Sequence, residues 1–316
     1  MNGKLGLTLF IALLLTFSLG CGSASLSKNE YTIATGSKSG VYYPIGETLA
    51  GILKIDYPNV QLKALETAGS VENLQMLKEG KVDMALVQND IAFYAAEGEA
   101  MFADQKITNI TGIATLFPEV VQFIVRKETG IGSLTQMEGR KIAVGSKNSG
   151  TYYNAQQILT LAGVWEKIDQ QFIGGTDAMK ELQEGKIDGF IFTSGLPNPS
   201  IIELAKKVEI TLVPVEHDLV QKLVNSYSFY FPSIIAPNQY PGQIAEVSAV
   251  EINAILVSGP SLSDDDQYLL TRQLFGKPNE LGQSHPRLSK MTRNSLRRQM
   301  PIQTGKGAYK AHSEAP

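Results

Sequence analysis

Apolar and polar residues follow the same order twice along the chain. In the first copy, the apolar run from Tyr31 to Ala34 precedes a Gly/Ser-rich turn at residues 36–40, and apolar residues then recur at helical spacing from Tyr42 to Ile52. In the second copy, the apolar run 142–144 leads to a turn at 145–150 and to another helical pattern. We therefore expect two similar units in the order strand, turn, helix.

The two copies also share their residues. The segment GSKSGVYY (36–43) is repeated as GSKNSGTYY (145–153), and LKEGKVD (77–83) is repeated as LQEGKID (182–188). Each unit therefore continues into a second helix, a Glu-Gly-Lys turn and a buried strand. The first N–H groups of a helix lack partners within it and lie at the positive end of its dipole, so both Gly/Ser turns are candidate carboxylate sites. A turn with a helix cap explains the glycines of either copy taken alone, whereas two equivalent copies favour a shared binding role.

Two long apolar runs, Ile113 to Val125 and Val250 to Val257, are rich in β-branched residues and suit strands that cross between lobes. The predicted fold class is α/β with two lobes, a mostly parallel strand order within each lobe and a ligand cleft between them. The first lobe is predicted to contain residues 31–124 and 249–316, and the second residues 125–248.

Two local patterns add further predictions. Ser70 precedes an apolar helical pattern and is predicted to cap that helix at its N-terminus. The segment 231–242 contains three prolines and is predicted to form no regular element.

Residues 1–20 have the pattern of an export signal. Lys4 is followed by the apolar run Leu5 to Phe17, which is too short to span a membrane comfortably, and a glycine precedes Cys21. This cleavage site is similar to that of bacterial lipoproteins, in which the cysteine carries the lipid. We expect lipidation of Cys21, a Ser-rich tether over residues 21–30 and an extracytoplasmic location. An ordinary cleaved signal with a chance cysteine is the alternative.

Composition and the absence of known motifs exclude several classes of function. The chain has 28 basic and 31 acidic side chains, a net charge of −3, and gives no sign of nucleic-acid binding. Its single cysteine excludes an intrachain disulfide and a cysteine-rich metal site. The three histidines stand apart, and the chain has neither an HExxH nor a G-x-S-x-G motif. We expect no catalysis, no cofactor and no metal, which favours a binding function.

Polar side chains follow the last strand of each unit. Gln88 and Asp90 come after the first of these strands, and Thr193 and Gly195 come after the second. Ligands of open α/β sheets bind beyond the carboxyl ends of strands, so both pairs are predicted to face one cleft. We expect Asp90 and Glu119 to hold an ammonium group of the ligand. A helix N-cap role for Asp90 and a solvated hinge position for Glu119 are the alternatives.

The second Gly/Ser turn is predicted to hold the carboxylate of the ligand. The N–H groups of Gly150 and Thr151 and the hydroxyls of Ser149 and Thr151 supply the donors. Lys147 is the rival source of positive charge beside this turn. From the first lobe we expect the ligand to be contacted by Gly40, Val41, Tyr42 and Ser70.

Six segments in order resemble the solute receptors of the TAXI family (TRAP-associated extracytoplasmic immunogenic proteins). They are TGSKSGVYYPIG (35–46), ETAGSVENLQML (66–77), EGKVDMALVQND (79–90), TLFPEVVQFIVR (115–126), GRKIAVGSKNSGTYYNAQQIL (139–159) and EGKIDGFIFTSGLPNPSI (184–201). The resemblance continues through LSDDDQYLLTRQLF (262–275). Ser37 and Ser39 depart from the family pattern, which often has glycine at these positions.

This resemblance implies a type II periplasmic-binding-protein fold that delivers a small carboxylated solute to the membrane subunits of a tripartite ATP-independent (TRAP) permease. Glutamate, glutamine and related dicarboxylates are the solutes it implies. Ala143 stands where the sister family of dicarboxylate receptors has a carboxylate-binding arginine, which argues against that family. A substrate-binding lipoprotein of an ATP-driven importer is the alternative among binding proteins. A lipid-anchored enzyme or an adhesin is the alternative from another class.

Overall fold

A computed structural model describes residues 25–276, 278–289 and 300–314. The predicted signal, Cys21 and the start of the predicted tether lie outside the described residues. The strands are β1 (Glu30–Ala34), β2 (Gln61–Leu65), β3 (Met84–Gln88), β4 (Thr111–Arg126), β5 (Lys141–Ala143), β6 (Asp169–Gln171), β7 (Gly189–Ser194), β8 (Ile210–Val213), β9 (Phe231–Ile235) and β10 (Val247–Ser258). The helices are α1 (Tyr42–Asp56), α2 (Ser70–Lys78), α3 (Asn89–Glu97), α4 (Gly150–Leu161), α5 (Gly175–Gln183), α6 (Pro199–Ala205), α7 (His217–Ser226), α8 (Asp264–Phe275), α9 (Pro278–Ser284) and α10 (Lys306–Glu314).

The long strands β4 and β10 run antiparallel through the middle of the sheet, whose order is β2-β1-β3-β10-β4-β7-β5-β6. β3 pairs with the C-terminal half of β10, whereas β7 and β8 pair with the C-terminal half of β4, and β9 pairs with the N-terminal half of β10. We call β1–β3, α1–α3 and α8–α10 with their halves of β4 and β10 the first lobe. We call β5–β9 and α4–α7 with the other halves the second lobe. The predicted crossing strands are confirmed, and the predicted lobe boundaries fall within or beside them.

The repeated units of the sequence are repeated units of structure. β1 pairs in parallel with β2 and β3 in the first lobe, and β5 pairs in parallel with β6 and β7 in the second. Each unit therefore has the order strand, helix, strand, helix, strand. Because the strands within a unit are parallel, their carboxyl ends and the N-termini of the following helices lie at one edge of the sheet.

Apolar burial holds the helices on the sheet. One cluster of buried side chains belongs to the first lobe and includes Ile45, Leu49 and Leu270, and another belongs to the second lobe and includes Ile124 and Phe190. A third cluster contains residues of both lobes and extends across the crossing strands. Complete burial of each such aliphatic side chain stabilises the fold by about 1.5–3 kcal/mol. The lobes therefore share a hydrophobic base behind the cleft.

Two local expectations are wrong. The proline-rich segment contains a strand, β9, in which Pro232 lies opposite Val250, and within the described part of the chain β9 pairs only with β10. An edge strand tolerates a proline because one side of its backbone needs no partner. Gly69, not Ser70, is the N-cap of α2, and the Ser70 hydroxyl instead accepts a hydrogen bond from the Gln88 N–H at 3.0 Å.

The predicted tether at 21–30 lies partly outside the described residues, and its last residues pack on the first lobe. The Ser27 N–H donates to Asp266 Oδ1 at 2.8 Å, and the Lys28 ammonium lies 2.6 Å from Asp83 Oδ1. Charged groups provided by the folded lobe therefore order this polar segment. Within residues 25–276, 278–289 and 300–314, no helix combines the length and the apolar character that crossing a membrane requires.

Candidate functional site

A cavity of about 100 Å³ lies between the two lobes. Drug-sized ligands occupy pockets of roughly 300–1,000 Å³, so this cavity suits a small solute. Both lobes contribute to its wall, which is formed by Gly36, Ser37, Gly40, Val41, Tyr42, Ala68, Gly69, Ser70, Gln88, Glu119, Gly145, Ser146, Ser149, Gly150, Thr151, Gly174, Gly175, Ile191, Phe192, Thr193 and Ser194.

Four helix N-termini meet at this cavity. The first residues of α1, α2, α4 and α5 are Tyr42, Ser70, Gly150 and Gly175, and all four line the wall. The first lobe supplies two of these termini and the second lobe supplies two, as the repeat requires. Each terminus brings unpaired N–H groups and the positive end of a dipole. The wall is therefore electropositive although its residues are mostly neutral.

Glycines let the turns of the two lobes approach each other. Gly69 has φ 126°, which side-chain-bearing residues rarely adopt, and a Cβ on it would lie 3.5 Å from Ser149 Cα in the other lobe. A Cβ on Gly150 would lie only 1.9 Å from Gln88 Oε1. An alanine at Gly150 would therefore displace the end of the Gln88 side chain.

Side chains of the second lobe fix the α4 turn. The Ser149 hydroxyl accepts a hydrogen bond from the Tyr152 N–H at 3.2 Å and so caps the helix. The Thr151 hydroxyl accepts from the Thr193 N–H at 3.2 Å, which joins the turn to the end of β7. Both hydroxyl groups keep a proton, and the Thr151 proton is available to an acceptor in the cavity.

Two buried oxygen atoms of the wall have no hydrogen-bond partner within the described part of the chain. They are Gln88 Oε1 and Ser146 Oγ. Gln88 is 4% exposed, and an unpaired buried polar atom costs about 1–3 kcal/mol. A ligand with a hydrogen-bond donor close to Gln88 Oε1 would remove that cost.

Glu119 and Tyr42 form a buried pair in the wall. The Tyr42 hydroxyl donates to Glu119 Oε2 at 2.6 Å. The pKa of Glu119 is raised to about 8. Burial is the main cause and the nearby Asp90 adds to it, while the Tyr42 hydrogen bond and the Arg287 charge oppose the shift. Burial also raises the pKa of Tyr42, and Glu119 adds to this effect. Glu119 therefore retains its proton at neutral pH until a positive group approaches it.

Asp90 lies behind the wall and not in it. It is completely buried in α3, and its Oδ2 accepts a hydrogen bond from Asn154 Nδ2 of the second lobe at 2.7 Å. Burial raises the pKa of Asp90 to about 7, although the hydrogen bonds from Asn154 and from backbone N–H groups oppose the shift. The prediction that Asp90 contacts the ligand does not fit this position, because Asp90 joins the lobes behind the cavity.

Gly195 also lies outside the wall. A Cβ on Gly195 would lie 2.3 Å from Nη1 of Arg287, so this glycine makes room for the arginine. The other ten predicted residues all line the cavity; they are Gly40, Val41, Tyr42, Ser70, Gln88, Glu119, Ser149, Gly150, Thr151 and Thr193. Their contacts with a ligand stay a prediction.

Sequence reasoning missed the turns before α2 and α5. Gly69 and Ala68 precede α2, and Gly174 precedes α5 at the equivalent place in the second unit. The signal was present, because the repeat aligns the two Glu-Gly-Lys turns and hence the helices before them. Extending the repeat backwards from those turns would have placed the start of α5 at the cleft, equivalent to the predicted Ser70 at the start of α2.

Positive side chains lie near the rim and not in the wall. Among the described residues, no lysine or arginine lines the cavity. The Lys147 ammonium lies 4.6 Å from the centre of the Phe172 ring, and the Lys38 ammonium lies 5.5 Å from the centre of the Tyr43 ring. The described ranges also contain no group of three or more His, Cys, Asp or Glu side chains arranged to hold a metal ion. The arrangement suits an anionic group at the helix termini and a hydrogen-bond donor near Gln88 and Glu119.

Solved structures of solute-binding proteins share this fold. The alkanesulfonate-binding protein SsuA from Xanthomonas axonopodis pv. citri, bound to MOPS, matches with a TM-score of 0.51 and 13% identity over 92% of this chain and 86% of that one. PhnD1 from Prochlorococcus marinus, in complex with methylphosphonate, matches with a TM-score of 0.51 and 11% identity over 83% and 88% of the two chains.

A third match is the ligand binding component of an ABC-type import system from Staphylococcus aureus, with zinc bound. Its TM-score is 0.50 and its identity is 14%, over 90% of each chain. At these identities the likeness concerns the fold, and it confirms the predicted two-lobed α/β class with a cleft. A family model matches residues 33–315, and the chain therefore belongs to the NMT1-like family.

Proposed function

We propose that this protein is an extracytoplasmic receptor that captures a small carboxylated solute between its lobes and delivers it to a membrane transporter. One observation carries the proposal: four helix N-termini, two from each lobe, meet at a cavity of about 100 Å³. A solute carboxylate in this cavity would meet N–H donors from both lobes, so its binding would favour the closed arrangement. The solved neighbours are binding proteins, which supports binding and not catalysis.

Hydrogen bonds from neutral donors supply the affinity for the carboxylate. The N–H groups of Gly150 and Thr151 and the hydroxyl of Thr151 lie at the wall. Each hydrogen bond to a charged acceptor contributes about 1.5–3 kcal/mol. Two or three such bonds contribute about 3–9 kcal/mol, which covers the binding free energy of about 4–8 kcal/mol that a millimolar to micromolar dissociation constant requires, so no arginine is needed.

The same solute is proposed to carry an ammonium group, as glutamate and glutamine do. The support is the buried Glu119 carboxyl in the wall, together with the unpaired Gln88 Oε1, which lies beside Gly150 and could accept a further hydrogen bond from the solute. A positive group beside Glu119 lowers its raised pKa, and the carboxyl then loses its proton. An amino acid would therefore bind with release of a proton near neutral pH, whereas a dicarboxylate without an ammonium group would not.

Two transporter classes are candidates for the partner. The six segments that resemble TAXI receptors favour the membrane subunits of a TRAP permease. An ATP-driven importer is the second candidate, and the Staphylococcus aureus neighbour, described as part of an ABC-type import system, favours it. The solved neighbours named above support the second candidate better than the first. Lipid attachment at Cys21 would hold the receptor at the membrane in either case.

A thermal-shift screen tests the solute class. A ligand that binds only the folded protein raises its melting temperature by mass action. We expect L-glutamate or L-glutamine to raise it, and succinate, which lacks the ammonium group, to raise it less. No shift with any amino acid or dicarboxylate would reject the proposal.

Calorimetry in two buffers tests the role of Glu119. At pH 7, the apparent binding enthalpy of L-glutamate is expected to depend on the protonation enthalpy of the buffer, because Glu119 releases a proton. In Glu119→Gln this dependence is expected to disappear. A dependence that is equal in both proteins would assign the proton to another group.

Transport by reconstituted permease distinguishes the partner classes. Uptake into vesicles that follows an ion gradient without ATP supports a TRAP permease, and uptake that requires ATP supports an ATP-driven importer.

A further inference from the structure

A short 3-10 helix at Pro286–Leu288 connects the first lobe to the second lobe. It follows α9, and the segment is anchored in the first lobe because Leu281 and Leu288 are buried in the same cluster as Ile45 and Leu49 of α1. We call residues 285–289 the strap. The strap lies far from the cleft residues in sequence and outside both repeated units.

Arg287 of the strap contacts the loop between β7 and α6 in the second lobe. Its Nη1 donates to the Leu196 carbonyl at 2.7 Å, and its Nη2 donates to the Pro197 carbonyl. Burial lowers the pKa of the Arg287 guanidinium, and the nearby Tyr240 and Glu119 oppose this shift. Gly195 leaves the space that the guanidinium occupies. The planar guanidinium can bond both carbonyls at once, which an ammonium group cannot do with the same geometry.

The same loop is held at a second point by the first lobe. Asn198 Nδ2 donates to the Ser39 carbonyl at 3.1 Å and to the Ser194 hydroxyl at 3.2 Å. Ser194 lines the cavity, and Ser39 lies in the Gly/Ser turn before α1. The loop at residues 195–198 therefore follows directly on a residue of the cavity wall and is bonded to the first lobe from two sides.

We propose that Arg287 is a positioning residue for solute binding, which holds the second-lobe loop against the first lobe and so sets how long a solute stays bound. The inference rests on the proposed receptor function. The Arg287 contacts join the lobes only when the cleft is closed, so their loss weakens the closed state and leaves the open state unchanged. The release rate of the solute is then expected to rise, while the association rate, which is set by the open state, changes little.

The experiment compares Arg287→Met and Arg287→Lys with wild type and with Arg272→Ala. Arg272 is an exposed arginine of α8 in the same lobe, and its guanidinium contacts Tyr268 within that helix. The probe is L-glutamate, and stopped-flow fluorescence gives both rate constants. Arg287→Met is expected to raise the release rate about tenfold, the equivalent of one hydrogen bond to a charged group, with the association rate within about twofold. Arg287→Lys is expected to recover only part of the loss, and Arg272→Ala is expected to match wild type.

Small-angle scattering of the solute-free proteins provides a readout that needs no ligand. If the Arg287 contacts hold the lobes together, Arg287→Met is expected to have a larger radius of gyration than wild type and Arg272→Ala. A lower melting temperature with unchanged release rate and radius would show a merely structural role and overturn the proposal. If wild type does not bind L-glutamate, the proposed solute fails, and the radius alone decides whether the strap holds the lobes together.

Discussion

Asp90 gives the sharpest prediction of how stability depends on pH. Its carboxyl is completely buried, and of its two oxygen atoms only Oδ2 has a side-chain partner, Asn154, while Oδ1 has none among the described residues. The ionisable groups that its charge affects are Tyr42, Tyr94, Tyr230 and Glu119. All four are acids, and the Asp90 charge disfavours their ionised forms. No cation is among the causes that shift its pKa. Replacing Asp90 by Asn keeps the shape and removes the charge.

The magnitude follows from linkage. The pKa of Asp90 is about 7 in the folded protein, compared with about 3.9 in an unfolded chain. The folded state therefore holds the proton more tightly, so the contribution to stability is complete below pH ~4 and is lost as the pH rises through about 7. Each pH unit between these two pKa values lowers the free energy of unfolding by about 1.4 kcal/mol, for a total of about 4 kcal/mol. This is a large share of the roughly 5–15 kcal/mol that stabilises a typical domain.

The assay is urea unfolding of wild type, Asp90→Asn and a control at half-unit steps from pH 4 to pH 8. The control is Asp104→Asn, an exposed aspartate at φ 64°, a conformation that asparagine adopts equally well. We expect the stability of wild type and of the control to fall together as the pH rises, and that of Asp90→Asn to fall less. The stability of Asp90→Asn still falls with pH because burial also raises the pKa of Glu119. This slope is smaller in the variant because the Asp90 charge no longer adds to that shift. Parallel curves for wild type and Asp90→Asn would refute the reasoning.

Three further predictions concern the cleft and the anchor. Thr151→Val removes one hydroxyl at the α4 terminus and leaves the Thr193 N–H without its acceptor, so calorimetry is expected to show binding of L-glutamate weakened about tenfold to a hundredfold. Lys147→Ala is expected to bind within about twofold of wild type, and abolished binding in Lys147→Ala with none lost in Thr151→Val would overturn the helix-terminus account. Gly150→Ala places a methyl group against the end of the Gln88 side chain, so it is expected to displace that side chain and to weaken binding of L-glutamate in calorimetry, and unchanged binding would contradict this. Cys21→Ala is expected to lose labelling by a fatty-acid analogue that wild type retains, and equal labelling would exclude lipid attachment there.

The local elements and their order along the chain could be predicted from the sequence. The repeat placed the Gly/Ser turns, the helices that follow and the buried strands, because spacing of apolar residues and helix-start residues act within a few turns of chain. Since both units have the same order of strands and helices, the meeting of their helix N-termini at one cleft could also be predicted. Ten of the twelve residues predicted to bind the ligand line the cavity for this reason.

The tertiary structure decided what contacts form between segments distant in the sequence. Asp90 and Gln88 are two residues apart, yet one lies behind the wall and the other in it, because α3 begins at Asn89 and turns the next side chain toward Asn154 of the other lobe. Gly195 serves Arg287, a partner 92 positions later in the numbering that no local pattern indicates. Burial also set the raised pKa values of Asp90 and Glu119, since desolvation depends on everything packed around a carboxyl and not on its neighbours in the chain.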